Sequence, residues 1–283
     1  MTVASPTSKE LILLAQQLPA SPQILLKLDT LINNLNCTLE EIAVLLRRDA
    51  TLAARIIRIS NSTVYGGDTP IGSVEEAVGR VGFSEVYRLT GLAVAAQLAN
   101  EHLPFYGHNG QQLRDNTLIT ALAVEVLARH ARMDSRTTYA TALLRSMGKL
   151  VLDRYVKKHL TPMQHYNRSG VPTLLTWEDK ILSCNNAAIA GLILETWHFP
   201  PSITEPIRQH YLVDPPTGEH TRTTYLLNLA SGLACDLGYA LPGEANYWDL
   251  TDEKVEAAGL TGVDFSAVSE EALTAFEAMR DSL

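Results

Sequence analysis

Thr38-Leu-Glu-Glu-Ile-Ala-Val-Leu-Leu-Arg-Arg-Asp-Ala-Thr-Leu-Ala-Ala-Arg-Ile-Ile-Arg-Ile-Ser60 reads as two short amphipathic helices joined at Arg48-Asp49. Leu39, Ile42, Ala43, Leu45 and Leu46 share one face at the 3.6-residue period. Leu52, Ile56, Ile57 and Ile59 share the face of the next helix. The first start is marked chemically. In Thr38-Leu-Glu-Glu41 a hydroxyl and a carboxylate each satisfy an amide that a helix start leaves free, and Ser73-Val-Glu-Glu76 repeats the device. Ser21-Pro22 places a proline at a first helical position, where its missing N–H costs nothing. Tyr65-Gly66-Gly67-Asp68 and Pro70 break the pattern, and Gly82 precedes a further start at Ser84.

After a polar loop with His102, Pro104, Gly107, His108 and Gly110, the helical period resumes. It predicts helices over about 112–131, 135–145, 149–158, 174–183, 187–197, 201–211 and 222–237, with Asp134 and Thr176 as N-caps. No alternating strand is predicted. Leu273, Phe276 and Arg280 are spaced for one more amphipathic helix, able to dock on the body. The fold class is all-α.

The chain has 283 residues, 46% of them apolar, which suits one large domain or two fused subdomains. The longest apolar run, Leu89 to Ala99, is interrupted by Thr90 and Gln97, so no membrane span is expected. Met1 to Ser8 have neither a basic nor an apolar segment of the signal-peptide kind. Cys37, Cys184 and Cys235 lack CxxC spacing and suggest a reducing cytoplasm. The formal charge of −8 is unevenly placed. Residues 243–283 hold ten carboxylates, beginning with Glu244, against Lys254 and Arg280, a net of −8. The rest is balanced at 21 acids and 21 bases.

Several segments together resemble the HDOD family. They are Leu18-Pro19-Ala-Ser-Pro22, Thr38-Leu-Glu-Glu-Ile42, Arg48-Asp49 through Arg55, Ile59-Ser-Asn61 through Gly67, Pro70-Ile71-Gly-Ser73 through Ala77, and Val81-Gly82-Phe83. Leu143-Leu144-Arg-Ser-Met-Gly148-Lys149-Leu150-Val151 and Leu194-Glu195-Thr-Trp197-His-Phe-Pro200 add to them. The similarity spans roughly residues 11–240. It implies an HD-like helical bundle with a fused N-terminal helical subdomain. The expected division is 1–105 for the subdomain, 106–242 for the bundle and 243–283 for an acidic extension.

The resemblance also implies a descent from metal-dependent phosphohydrolases. Those enzymes hold a divalent ion through a histidine, a His-Asp pair and a distant aspartate, with open positions to activate water. Position by position, the first histidine falls at Asn116, the pair at Arg145-Ser146, and the aspartate near Ser231 or Asn228. No His-Asp dipeptide occurs in the chain. A guanidinium stays protonated, cannot ligate a metal and repels one. No metal and no other cofactor is therefore expected, and no catalytic residue is assigned. Gly148-Lys149 survive beside the lost pair. Lys149 and Arg145 form a small anion pocket, or Lys149 simply pairs with a carboxylate such as Asp153 at i+4. Relatives place histidines near Asn186 and at the end of the Ile207-Arg-Gln-His210 helix. The candidate residual pocket is thus Asn116, Arg145, Ser146, Lys149, Asn186 and His210.

Other constellations carry less. Glu195-Thr-Trp-His198 has one Glu-x-x-His spacing where a di-iron bundle needs two such motifs and two further glutamates. His159 and His165 match no ligand spacing and read as solvated loop residues. No P-loop, GxGxxG or Gly-x-Ser-x-Gly elbow is present. The pair at 39–60 could pass for a helix-turn-helix, but a net charge of +1 over 38–60 argues against DNA. The resemblance implies a cytoplasmic signal-transduction protein that works through a protein partner or a small anionic ligand. The alternative it leaves is a metal-dependent phosphohydrolase with atypical ligands.

Overall fold

The structure is a computed structural model that describes residues 5–18, 22–62, 65–66, 69–159, 165–166 and 173–280. The chain divides into two compact units, one of residues 1–19 with 98–272 and one of 20–97 with 273–283. Both are built from α-helices, as the helical period predicts.

The smaller unit holds α2 (Gln23–Ile32), α3 (Leu39–Arg47), α4 (Ala50–Ser60), α5 (Val74–Val81) and α6 (Phe83–Ala96). The Thr38 hydroxyl accepts the Glu41 amide at 3.2 Å, and Glu41 accepts the Thr38 amide at 2.8 Å, so the predicted capping box is complete. Ser73 accepts the Glu76 amide at 3.1 Å, but the Glu76 carboxylate takes the Gly72 amide instead, leaving half a box. Pro22 stands one residue before α2 rather than at its first position, and Ser21 lies outside the described residues. Asp49 caps α4 by accepting the Leu52 amide at 2.9 Å. Leu25, Leu28, Ile42, Leu46, Leu52 and Ile56 are buried from these helices. Each such side chain contributes about 1.5–3 kcal/mol of apolar burial. Gly82, at φ +80°, ends α5 and opens α6, a turn that an L side chain would strain. Asn61 pins the following loop, donating to Ile71 O and accepting its amide, both at 2.9 Å.

The larger unit begins with α1 (Ser8–Ala15) and continues with α7 (Gly110–His130), α8 (Ser135–Leu144) and α9 (Met147–His159). α10 (Leu174–Leu182), α11 (Asn186–Thr196), α12 (Pro201–Gln209), α13 (Thr221–Ala234) and α14 (Asp252–Ala258) follow. From α7 to α13 the helix ends lie within three residues of the expected ones. Asp134 caps α8 as expected, whereas α10 is capped by Thr173, not Thr176. The polar loop differs from expectation. It folds into an antiparallel hairpin of β1 (His102–Leu103) and β2 (His108–Asn109), paired His102 to Asn109 and Leu103 to His108. Strands of two residues are too short to show an alternating pattern.

α15 (Phe265–Arg280) is the amphipathic helix expected near the C-terminus. Its buried stripe is Val268, Ala272, Phe276 and Met279, so Leu273 and Arg280 flank the stripe instead of forming it. None of the three cysteines is in a disulfide. No helix among the described residues is long and apolar enough to cross a membrane.

Candidate functional site

α8 runs into α9 through Arg145 and Ser146, so the bend between them carries the two residues expected from the sequence to replace a His-Asp pair. Gly148 permits that bend to approach α11. A Cβ there would sit 1.8 Å from Asn186 O. Asn116 projects from α7, Lys149 from the first turn of α9, Asn186 from the start of α11, and His210 from the end of α12. All are buried: Arg145 is 1% exposed, and Lys149 and His210 are 0% exposed.

What joins them is Glu244, itself 0% exposed. Its Oε1 accepts hydrogen bonds from Lys149 Nζ and, at 2.7 Å, from the Tyr211 hydroxyl. Its Oε2 lies 3.4 Å from Arg145 Nη1. The other Arg145 nitrogen, Nη2, donates to Asn116 Oδ1, and Asn116 Nδ2 donates to Tyr239 O at 2.7 Å. Asn116 thereby ties the guanidinium to the backbone that leads to Glu244. The guanidinium also lies 5.7 Å from the Trp248 ring centre, and the ammonium 5.4 Å from that of Tyr106, placing both cations against aromatic faces.

A second buried carboxylate extends the web. Glu178, from α10, accepts the Tyr106 hydroxyl at 2.5 Å and the Asn186 amide at 2.9 Å. Asn186 Nδ2 also donates to it. Tyr211 lies 3.2 Å from Asn186 Oδ1 and so links the two carboxylate centres.

The protonation states follow from burial and charge. Burial alone would raise the Glu244 carboxyl, but the Lys149 ammonium and the Arg145 guanidinium overcome that and hold it at about 2. Burial lowers Lys149, and Glu244 opposes the fall. Glu244 is ionised at neutral pH. Glu178 forms no ion pair among the described residues, and burial pushes it up to about 7 against the pull of its hydrogen bonds and of Lys149. Burial, with Arg145 nearby, pushes His210 down to about 3. Burial, with Lys149 nearby, does the same to His108. Both imidazoles are neutral.

The remaining expected residues fall around this centre without joining it. His210 stacks on Tyr211 and Trp248, places Nδ1 2.6 Å from Ile207 O and leaves Nε2 without a protein partner. Ser146 is buried with an unpartnered hydroxyl. Ser231 satisfies itself on Leu227 O within α13, and Asn228 ties His210 O to Tyr247 O. Asp153 is not the partner of Lys149. It pairs with Lys157 at 2.7 Å and accepts the Phe105 amide. Glu195 pairs with Arg208, and His159 and His165 are exposed.

Nothing in this donor set suits a divalent cation. Two fixed positive charges occupy the centre, and each carboxylate is already held by several donors. Among the described residues no group of three or more His, Cys, Asp or Glu is placed to hold a metal ion. Glu244 and Glu178 escaped the sequence reading. Glu178 carries a usable signal, because it stands at i+4 from Leu174 and i−4 from Leu182 on the buried face of α10. Glu244 has no such signal. It follows Pro242-Gly243 in an irregular stretch crowded with other acids.

The HDOD domain model matches residues 18–213. The chain belongs to the HDOD family. Solved structures support the same architecture. An HDOD domain protein of unknown function from Geobacter sulfurreducens superposes with a TM-score of 0.73 at 16% identity, over 98% of this chain and 99% of that one. A Marinobacter aquaeolei protein named as a candidate signal transduction protein gives 0.66 at 23%, over 94% and 59%. A Shewanella amazonensis protein named as a candidate phosphohydrolase gives 0.64 at 21%, over 96% and 97%. No curated protein sequence matches the chain. This HDOD protein is thus an HD-like helical bundle with a fused helical subdomain, and Glu244 lies beyond the part that the family model covers.

Proposed function

We propose that this protein is a non-catalytic regulatory component of bacterial signal transduction, acting in the cytoplasm through contacts with a protein partner or a small anionic ligand. One observation carries the reading. At Arg145, the position the resemblance assigns to the lost His-Asp pair, and at Lys149 beside it, this chain buries a guanidinium and an ammonium and closes them on its own Glu244 carboxylate. A phosphohydrolase needs a metal or an open water site at that place, and two cations disfavour the first. The name of the Marinobacter relative supports a signalling role. Three cysteines outside any disulfide fit a reducing compartment.

The test is one preparation examined twice: an affinity pull-down from the source organism, with the metal content measured on the same material. A specific protein partner and substoichiometric metal are expected. Stoichiometric iron, manganese or zinc, lost on chelation together with a phosphodiesterase activity, would overturn the proposal in favour of an enzyme. For the 39–60 helix pair, Arg47 is already engaged by Glu40 and Glu75, which weakens a basic face further. A DNA shift assay at low salt is expected to show no binding.

A further inference from the structure

We infer that Arg145, Lys149 and Tyr211 form an oxyanion-binding site whose present occupant is the chain's own Glu244, an internal ligand carried on the 240–248 strap. The inference rests on reading this cluster as a contact site without metal.

Three donors from two different helical regions converge on one carboxylate: Lys149 Nζ, Arg145 Nη1 and the Tyr211 hydroxyl. Two basic side chains face one carboxylate in the clasp, an arrangement that a doubly charged oxyanion would match better than Glu244 does. Spare donors remain. Arg145 Nε and the Ser146 hydroxyl are buried and have no partner. A carboxylate offers two oxygens, whereas a phosphate-type group offers more acceptors for the same donors.

The occupant sits on a segment built differently from the walls. Arg145 and Lys149 belong to the α8–α9 bend, deep in the bundle. Glu244 lies in irregular chain between Gly238, at φ +90°, and the short turn Ala245–Tyr247, with Gly243 at φ +82° just before it. Apart from apolar burial of Leu241, Tyr247 and Trp248, the strap is fastened by side chains: Asn116 on Tyr239 O, Asn228 on Tyr247 O, the Tyr247 hydroxyl on the Leu175 amide, and the clasp on Glu244. One of those fastenings is the ion pair itself, so an anion that takes the clasp also loosens the strap. Tyr211 lines a cavity of about 710 Å³ as well, so one wall of the cluster faces space that a solute can enter. Asp179 and Asp214 line that cavity alongside Arg208, which makes it an approach and not the anion site.

The experiment removes the internal ligand and asks whether a free one replaces it. Glu244→Ala is prepared in chelator, and its melting temperature is followed with inorganic phosphate, formate and, as a control at equal ionic strength, chloride. Phosphate and formate are expected to restore a measurable part of the lost melting temperature in the variant and to do little to the wild type. Adding Arg145→Met to the variant is expected to weaken the phosphate response about tenfold or more, the loss of a charge-assisted contact. Equal responses in variant and wild type, or a response that survives Arg145→Met unchanged, would overturn the inference. If Glu244→Ala does not fold without anion, refolding in phosphate becomes the readout. If it folds under no condition, hydrogen exchange of the 240–248 amides in the wild type decides. Acceleration by phosphate and not by chloride supports a displaceable strap, and no acceleration refutes it. A phosphate response seen only in a parallel preparation without chelator would instead refute the metal-free reading on which the inference rests.

Discussion

Glu244→Gln is expected to be the most informative single change in this protein, because two buried basic side chains close on this one ionised carboxylate. Glutamine keeps the shape and an acceptor but leaves Arg145 and Lys149 facing each other, both buried and uncompensated. Removing one member of a buried ion pair costs about 3–5 kcal/mol. Lys149→Met removes the surplus cation instead. Glu244 then keeps Arg145 and the Tyr211 hydroxyl, and charge is balanced one to one. Its cost is closer to that of a lost hydrogen bond to a charged group, about 1.5–3 kcal/mol. The two variants also differ in pH dependence. In Glu244→Gln the buried ammonium has lost the carboxylate that opposed its fall, so its folded pKa lies further below the unfolded 10.5. Between those two values the unfolded chain binds more protons than the native one, so the variant regains stability as pH rises. The gain is at most about 1.4 kcal/mol per pH unit. Urea unfolding of wild type and both variants at pH 7, 8.5 and 9.5, taken as differences from wild type, measures this. Equal costs for the two variants, or no recovery of Glu244→Gln with rising pH, would refute the clasp as described.

Acid should unfold the protein with an accelerating slope. His108 and His210 are held at about 3 against an ordinary 6.5, so their contribution is full above pH 6.5 and is lost as pH falls toward 3. Glu178, raised to about 7, acts in the opposite sense and offsets one of those protons between pH 6.5 and 4.5. Below 4.5 that offset ends, and Glu244, held at about 2, adds its own loss. Melting temperatures from pH 8 to 3 should therefore bend downward near 4.5, and a flat profile to pH 4 would contradict the buried neutral imidazoles. Gly148→Ala should cost at least about 3 kcal/mol, beyond ordinary overpacking, because the new methyl meets the Asn186 and Ala190 backbone and not a movable side chain. A melting temperature within a degree of wild type would show that α9 and α11 can separate. Asp49→Ala should cost about 1 kcal/mol in urea unfolding through loss of the α4 cap, with Asp49→Asn recovering most of it.

The helices were legible because each carries its own local signals. Asp134 caps α8, Thr38 and Glu41 box α3, and the apolar period fixes the buried face in between. Those signals act over three or four residues, which is the range that a single sequence displays directly. The β1–β2 hairpin was not legible, since its two-residue strands depend on pairing across the Gly107 turn and not on side-chain alternation. The same distinction divides the candidate site. Asn116, Arg145 and Lys149 could be located through the family pattern, and the structure brings them to one centre. Glu244 could not, because its partners lie 95 and 99 residues away and its own stretch is aperiodic. Counted by sequence it was one acid among ten, but it is the only one of them among the described residues that is buried.

That separation suggests how the site came to hold together. A guanidinium at residue 145 with no anion beside it would be an uncompensated charge in a bundle interior, which packing alone does not offset. Arginine at this position is stable only beside an anion. In this chain the anion arrives from residue 244, outside the 18–213 span that the family model matches. The two positions therefore depend on each other physically, although nothing in the domain pattern links them. The dependence makes a prediction about other members of the family. Chains with arginine or lysine at the position of Arg145 should place an acid in the segment after the helix equivalent to α13, at the position of Glu244. Chains that keep the His-Asp pair should not need one. An aligned set of HDOD sequences tests this directly, and a random distribution of acids at that position with respect to the residue at 145 would refute the coupling.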